Sequence, residues 1–193
     1  FCKKIWKHLY AILPKIYKVK NRVKTKLKPK LYEPATNAST KKGAEALFVV
    51  EGNSAATLMR KIIEKNPRLS RSDYGIYSIQ GVPINAIKNS TEYPTGLKQN
   101  QKLIKNDGLQ ALVHVLGLNY DRACKPKYKN IILSTDQDSD GIGKICSLLI
   151  CFFMLYFPDL VKSGFIKRFR TPIIRATLPA KYGSKRVDFY DDS

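Results

Sequence analysis

The sequence predicts an α/β fold in which a parallel sheet is flanked by helices, preceded by a basic N-terminal leader. Short apolar runs rich in β-branched residues, typical of buried strands, alternate with longer segments of helical periodicity. With 193 residues, of which 44% are hydrophobic, the chain can bury one sizeable core. In such a sheet, ligands bind beyond the carboxyl ends of the strands, so the residues that follow each strand are the first candidates for function.

The first two strands are predicted at residues 46–51, "ALFVVE", and 74–81, "YGIYSIQG". The first ends in a lone carboxylate, Glu51, and the second closes at Gly81. Between them, the periodic segment "AATLMRKIIEK" predicts a helix, and Ser54 is positioned to cap its N-terminus.

The second half of the chain continues the alternation. Residues 88–100 are polar and predict a loop, whereas "LQALVHVLGL" predicts a helix that ends around Gly117. "NIILST" predicts a buried strand, and residues 145–157 predict a helix that is buried on most sides. That helix is too short for a bilayer, which needs ~20 residues. The segment "FIKRFRTPIIRAT" predicts a last extended stretch, interrupted at Pro172.

A formal charge of +20 favours a polyanionic partner, such as nucleic acid, over a merely solvated basic surface. Residues 1–30, the basic leader, hold eleven Lys and Arg and no acid. Apolar residues recur in the leader at roughly helical spacing, although Pro14 would kink a helix there. The leader could lie on a membrane, follow a nucleic-acid backbone, or dock on a neighbouring domain. A membrane is the least favoured of these, and we expect none as a partner.

The compartment is expected to be intracellular. The leader has no continuous apolar region of the kind found in a signal peptide. The four cysteines form no CxxC pair and have no zinc-site spacing, so reduced thiols are the simplest interpretation. The first residue is Phe rather than Met, which suggests a fragment or a processed product.

The stretch "STDQDSDGIGK" carries the clearest chemistry. Its alternating Asp136, Asp138 and Asp140 resemble the start of an EF-hand loop, but position twelve of that loop would be Ser147 instead of Glu. An EF-hand is also entered from a helix, whereas a predicted strand leads into this loop. The aspartates therefore favour Mg²⁺ over a calcium loop, with a solvated acidic turn that caps the next helix as the plain alternative. Glu51 ends another parallel strand, so the two segments could form one acidic site.

Three motifs in order, "FVVEGNSA", "YSIQGVPINA" and "ILSTDQDSDG", resemble the Toprim domain of type IIA DNA topoisomerases. "GFIKRFRTPIIRA" resembles the segment that follows in the eukaryotic and viral branch, and "KPKLYEPATNAST" resembles its lead-in. The third motif with its "DGIGK" continuation favours a large DNA virus. The resemblance implies three parts, which are a leader and lead-in (1–42), a Toprim domain (43–178) and a tail towards a further domain (179–193).

The resemblance also implies roles for individual residues. Glu51 would help to hold metal near the scissile phosphate and act in acid–base steps. Asp136 would be shared between two Mg²⁺ sites, Asp138 would complete the second, and Asp140 would support them. Asn85 would contact DNA. Mn²⁺ or Ca²⁺ could replace Mg²⁺ in binding, and two cations would stabilise the oxygens of a transesterification in which a tyrosine attacks DNA.

The sequence departs from the family pattern at several positions. Gln80 and Val82 stand where the family has a basic pair, and Asn53 replaces the usual Asp of the first motif. After Gly141, the spacing to "LLI" is one residue longer, and no histidine can be matched. Lys144 is a candidate phosphate contact in this segment, with an ordinary surface lysine as the alternative.

The family's nucleophilic tyrosine and its ATPase lie in other domains, and no GxxxxGK[ST] phosphate loop occurs in this chain. The resemblance thus implies a piece of a larger homodimeric, ATP-dependent enzyme that acts on duplex DNA, in the nucleus or in a virus-infected cell. Alone, the chain should not relax DNA. Two rival functions are a Toprim nuclease or primase, and a non-catalytic basic nucleic-acid-binding module.

Overall fold

The computed structural model describes residues 31–86, 106–120, 125–136, 138–183 and 185–190. The basic leader and the loop predicted at residues 88–100 lie outside the described residues.

The centre of the fold is a five-stranded sheet with the strand order β1-β3-β2-β4-β5. Neighbouring strands from β3 through β2 and β4 to β5 run parallel, which confirms the predicted parallel sheet. The sheet is not wholly parallel, however, because β1 pairs antiparallel with β3 at one edge. The strands of this sheet are β1 (Tyr32–Glu33), β2 (Ala44–Glu51), β3 (Tyr74–Ile79), β4 (Tyr128–Ser134) and β5 (Ile166–Arg168).

Helices cover both faces of the sheet. The α-helices are α1 (Gly52–Lys65), α2 (Asp107–Leu116), α3 (Ser147–Tyr156) and α4 (Pro158–Lys162), and a π-helix (Ser139–Cys146) runs directly into α3. The predicted end of α2 is confirmed, since Gly117 caps it in the left-handed conformation.

The predicted start of α1 was wrong. The helix begins at Gly52, so Ser54 lies inside its first turn instead of capping it, and Glu51 occupies the N-cap position without a side-chain hydrogen bond. Gly52 has φ +73°, a conformation that glycine adopts without the steric cost of a Cβ. This glycine turns the chain from β2 into α1 one turn earlier than the serine suggested.

Strand β2 is central, and its alternate side chains enter two separate cores. Leu47 and Val49 face a large core that includes residues of α2 and α3. Phe48 and Val50 face a smaller core with Met59 and other residues of α1. Burial on both faces explains why "ALFVV" is continuously apolar instead of alternating.

Helix α3 confirms the buried helix predicted from the apolar stretch 145–157. Leu149, Phe152 and Phe153 are fully buried in the large core, and among the large apolar residues of this helix only Ile150 is exposed. Within the described residues, no helix is both long enough and apolar enough to span a membrane. Cys146 and Cys151 carry free thiols.

The extended segment around Pro172 forms strands of two different sheets. Strand β5 belongs to the main sheet, whereas β6 (Ile174–Thr177) pairs antiparallel with β7 (Arg186–Phe189) in a separate hairpin. Strand β6 lies in the segment predicted as the Toprim domain (43–178), and β7 lies in the predicted tail (179–193). The hairpin therefore joins the two segments.

A charged cluster and a buried hydroxyl fix the β1 edge. Glu33 accepts hydrogen bonds from Arg60 on α1 and from Arg71, which lower the pKa of Glu33. The buried Tyr128 hydroxyl lies 2.9 Å from the Tyr32 hydroxyl and accepts a hydrogen bond from the Ala35 amide at 3.2 Å.

Candidate metal centre at the carboxyl edge of the sheet

The predicted acidic residues leave the sheet at one edge. Val50 pairs with Ser134 in the parallel register of β2 and β4, so Glu51 and the segment that follows Ser134 emerge side by side. Asp136 lies two residues beyond the end of β4, and Asp138 precedes the π-helix. Two segments separated by about eighty residues of chain therefore meet at the carboxyl ends of neighbouring strands.

The aspartates act electrostatically on Glu51. The pKa of Glu51 is raised, first by its partial removal from water and then by the negative charges of Asp136, Asp138 and Asp140. Four carboxylates that repel one another at one edge form a site where a cation is electrostatically favoured. Among the described residues, however, no three His, Cys, Asp or Glu side chains are grouped closely enough to chelate a metal ion.

The donor types nevertheless fit magnesium. Every candidate ligand is a carboxylate, and hard oxygen donors are the ligands that Mg²⁺ binds, usually together with water and substrate phosphate. A Mg²⁺ site needs only one or two carboxylates from the protein, so a cluster of three is not required. Those one or two ligands would come from among Glu51, Asp136 and Asp138.

Asp138 also caps the helix that follows. Its Oδ1 accepts a hydrogen bond of 2.7 Å from the Gly141 amide, as the plain alternative of a capping turn predicted. Capping and ligation are compatible, because a carboxylate can bind a cation through its second oxygen while the first accepts from the backbone. The capping bond fixes the orientation of Asp138.

Gly141 packs directly on the backbone of Asp136. A Cβ at Gly141 would lie 2.9 Å from the Asp136 nitrogen, 3.0 Å from its carbonyl carbon and closer still to its carbonyl oxygen. Backbone atoms cannot rotate away, so only glycine fits here. The glycine of the "DG" pair in the third motif therefore allows close packing on the Asp136 backbone as well as a turn of the chain. The sequence pattern did not indicate this packing role.

Asp140 and Lys144 form an ion pair of 2.5 Å along the π-helix, and both side chains are more than half exposed. The pair raises the pKa of Lys144. The spacing of four residues could have indicated this pair from the sequence. Lys144 thus lies beside the acidic edge, with Asp140 as its partner.

Through residue 86, as far as the structure describes it, the segment that follows β3 carries no charge. Ile79 pairs with Glu51, and the chain continues through Gln80 and Val82 towards Asn85. Gln80 donates a hydrogen bond of 3.1 Å to Ser78, and Val82 is 51% exposed. Asn85 is exposed in the segment that leaves the same edge, so it remains a candidate for a DNA contact.

Together, the fold and the site define an α/β domain with an acidic carboxyl edge suited to phosphodiester chemistry. The family model described as "Toprim domain" matches residues 46–172. The chain belongs to the Toprim family.

Similar proteins place this domain within longer chains. The chain is 36% identical over 176 residues to "DNA topoisomerase 2" of African swine fever virus, covering 82% of this chain and 15% of the relative. It is 30% identical over 185 residues to "DNA topoisomerase 2" of Bombyx mori, covering 91% and 11%. The chain spans only a small part of these relatives.

A solved structure of a topoisomerase II domain also matches this chain. The crystal structure of the Plasmodium falciparum topoisomerase II DNA-binding, cleavage and re-ligation domain superposes with a TM-score of 0.66 at 27% identity. The match covers 89% of this chain and 22% of that one. The recognition of the Toprim fold from three sequence motifs is confirmed.

Proposed function

We propose that the chain is the metal-binding Toprim region of an ATP-dependent type II DNA topoisomerase, which cleaves and religates duplex DNA through a tyrosyl-phosphodiester intermediate. The supporting observation is that Glu51 and the three aspartates meet at one edge of a Toprim sheet. Relatives named DNA topoisomerase 2 match most of the chain.

The roles of the residues follow from their positions. Mg²⁺ held at this edge would stabilise the charge that builds up on phosphate oxygens during strand transfer. Asp136 and Asp138, beyond the end of β4, and Glu51, at the end of β2, would hold the ion. Desolvation and the neighbouring aspartates raise the pKa of Glu51, which is the direction that suits a group that takes up and releases a proton. Asn85 contacts the DNA.

Other parts of the same polypeptide would complete the enzyme. We infer an ATPase domain, a winged-helix domain that carries the nucleophilic tyrosine, and a homodimeric assembly acting on duplex DNA. An intracellular site of action follows, either in a nucleus or in a virus-infected host cell. The relative from African swine fever virus, at 36% identity, supports the viral branch.

The test uses the complete enzyme and measures Mg²⁺-dependent cleavage of supercoiled plasmid. Replacing Glu51 by Gln should reduce cleavage at every Mg²⁺ concentration by about 100-fold or more, because a ligand and proton carrier is lost. The matched control is Glu64→Gln, which removes one exposed carboxylate from the far end of α1. Equal activity of the two variants would refute the assignment.

The covalent intermediate separates the proposal from its rivals. A topoisomerase leaves protein attached to the cleaved strand when the reaction is stopped with denaturant, whereas a Toprim nuclease or primase does not. A non-catalytic binding module would bind DNA without dependence on divalent metal. Gel analysis of radiolabelled DNA before and after protease digestion distinguishes the three.

A further inference from the structure

The positive charge of the described residues is concentrated in one segment. These residues contain nineteen Lys and Arg and eleven Asp and Glu, a net charge of +8. Residues 166–190, here called the basic extension, hold seven cations and one anion, Asp188, a net +6. All seven are exposed, and they are Lys167, Arg168, Arg170, Arg175, Lys181, Lys185 and Arg186. The other described residues are close to neutral.

The basic extension begins at the edge that carries the acidic site. Arg168 pairs with Leu133 in the parallel register of β5 and β4, and the Phe169 amide donates a hydrogen bond of 2.9 Å to the Leu133 carbonyl. The chain therefore leaves the sheet one strand away from the segment that leads to Asp136. The opposite flank, at the end of β3, offers the uncharged Gln80 and Val82.

The basic extension has a defined shape. The Arg170 guanidinium lies over the Tyr190 ring, 5.7 Å from its centroid, and donates a hydrogen bond of 3.3 Å to the Tyr190 carbonyl. Arg175 donates two hydrogen bonds, of 2.6 and 2.9 Å, to the Asp188 carboxylate across the hairpin. These contacts tie the exit of β5 to the end of β7.

Exposed aromatic rings are interleaved with the cations. Phe169, Phe189 and Tyr190 are 39%, 46% and 43% exposed. Lys and Arg clustered on one face are the electrostatic footprint of a surface that binds nucleic acid. An acidic edge alone would repel DNA, so a duplex that reaches it needs cations on at least one flank.

We propose that the basic extension binds the phosphate backbone of duplex DNA on the β5 side of the acidic edge. This proposal rests on the proposed function, since it places the substrate of that same site. It also accounts for the uncharged Gln80 and Val82, because the cations that a phosphate backbone requires are supplied from the opposite flank.

The test measures the binding of the 193-residue chain to a labelled duplex by fluorescence anisotropy at several salt concentrations. One variant replaces Lys167, Arg168 and Arg170 by Gln, and a second replaces Lys181, Lys185 and Arg186 by Gln. The second variant leaves the Arg170–Tyr190 contact intact. A change in its DNA binding therefore reports the loss of positive charge and not the loss of that contact. The matched control replaces Lys41, Lys42 and Lys125 by Gln, which removes three exposed lysines that precede β2 and β4 at the other edge. Circular dichroism checks that each variant is folded.

Each phosphate contact contributes about 0.9 to the slope of log affinity against log salt. The basic-extension variants should therefore lose about 2 to 3 units of slope, and the control should lose less than one. Equal losses in all three would overturn the proposal, because they would show a response to total charge only. Unchanged slopes would also overturn it, because they would show that the cations of the basic extension do not contact the DNA.

Failure of this proposal is distinguishable from failure of the proposed function. The salt slope reports phosphate contacts and does not depend on Glu51. Metal-dependent cleavage depends on Glu51 and can persist when the duplex is held by other surfaces.

Discussion

Replacing Gly141 with alanine is expected to displace the backbone of Asp136, the proposed shared ligand of the metal site. The new Cβ would lie 2.9 Å from the Asp136 nitrogen, where ordinary van der Waals contact starts at 3.4 Å, and the carbonyl oxygen is closer still. Relieving these contacts requires a shift on the order of 1 Å. Misplacement of that size at a catalytic group can cost about 100-fold in rate.

The stability cost should be moderate. Overpacking of this kind typically destabilises a protein by about 1–3 kcal/mol, so the variant should remain folded at room temperature. Gly143 lies in the same π-helix, and a Cβ there would meet nothing within 4 Å, so Gly143→Ala is the matched control.

The assay compares Mg²⁺-dependent plasmid cleavage by the complete enzyme carrying either substitution, with thermal unfolding of the 193-residue chain measured in parallel. We expect cleavage to fall about 100-fold for Gly141→Ala and to change less than threefold for Gly143→Ala. If a folded Gly141→Ala enzyme cleaves as well as the Gly143→Ala enzyme, the packing of Gly141 does not position Asp136 and the reasoning fails.

Three further predictions concern single side chains. Asp136→Ala should reduce cleavage by the complete enzyme more than Asp140→Ala, because Asp140 is paired with a lysine and only supports the site; equal losses would remove this ranking. Tyr128→Phe should destabilise the chain by about 1–2 kcal/mol, because the Tyr32 hydroxyl and the Ala35 amide lose their hydrogen-bond partner. Equal urea midpoints for the variant and the original chain would contradict this. The lowered pKa of Glu33 means that its ionised form stabilises the fold above pH 4.5, its ordinary value, and that this contribution disappears as the pH falls through the native pKa. Urea denaturation at pH 7 and pH 3 should therefore show a smaller pH dependence for Glu33→Gln than for the original chain.

The strands and their order of appearance could be predicted because burial leaves a clear pattern. Strands covered on both faces, such as β2, are continuously apolar, and the segments between them have helical periodicity. The position of the acidic site followed from the topology alone, since Glu51 and Asp136 both lie just past parallel strands. Neither step required knowledge of side-chain contacts.

Other features could not be predicted because their sequence signals are local and weak. Strand β1 has two residues, too few for any periodicity, and it forms where the Tyr32 hydroxyl meets Tyr128. The start of α1 was misplaced because serine is a common cap, whereas the observed turn depends on the positive φ of Gly52. The separation of β6 from the main sheet depends on its pairing with β7, which a search for single strands does not reveal.

The π-helix explains how the aspartates and the core stay in register despite the longer spacing between Gly141 and "LLI". One extra residue in an α-helix would rotate everything after it by about 100° and would turn Leu149 and Phe152 away from the core. A π-helix holds one more residue per hydrogen-bonded turn, so the additional residue widens residues 139–146 and leaves α3 in place. Asp138 and Gly141 retain the capping bond at the start of this element, and Leu149 and Phe152 remain fully buried after it. The departure from the family spacing is thus absorbed between the candidate metal site and the core.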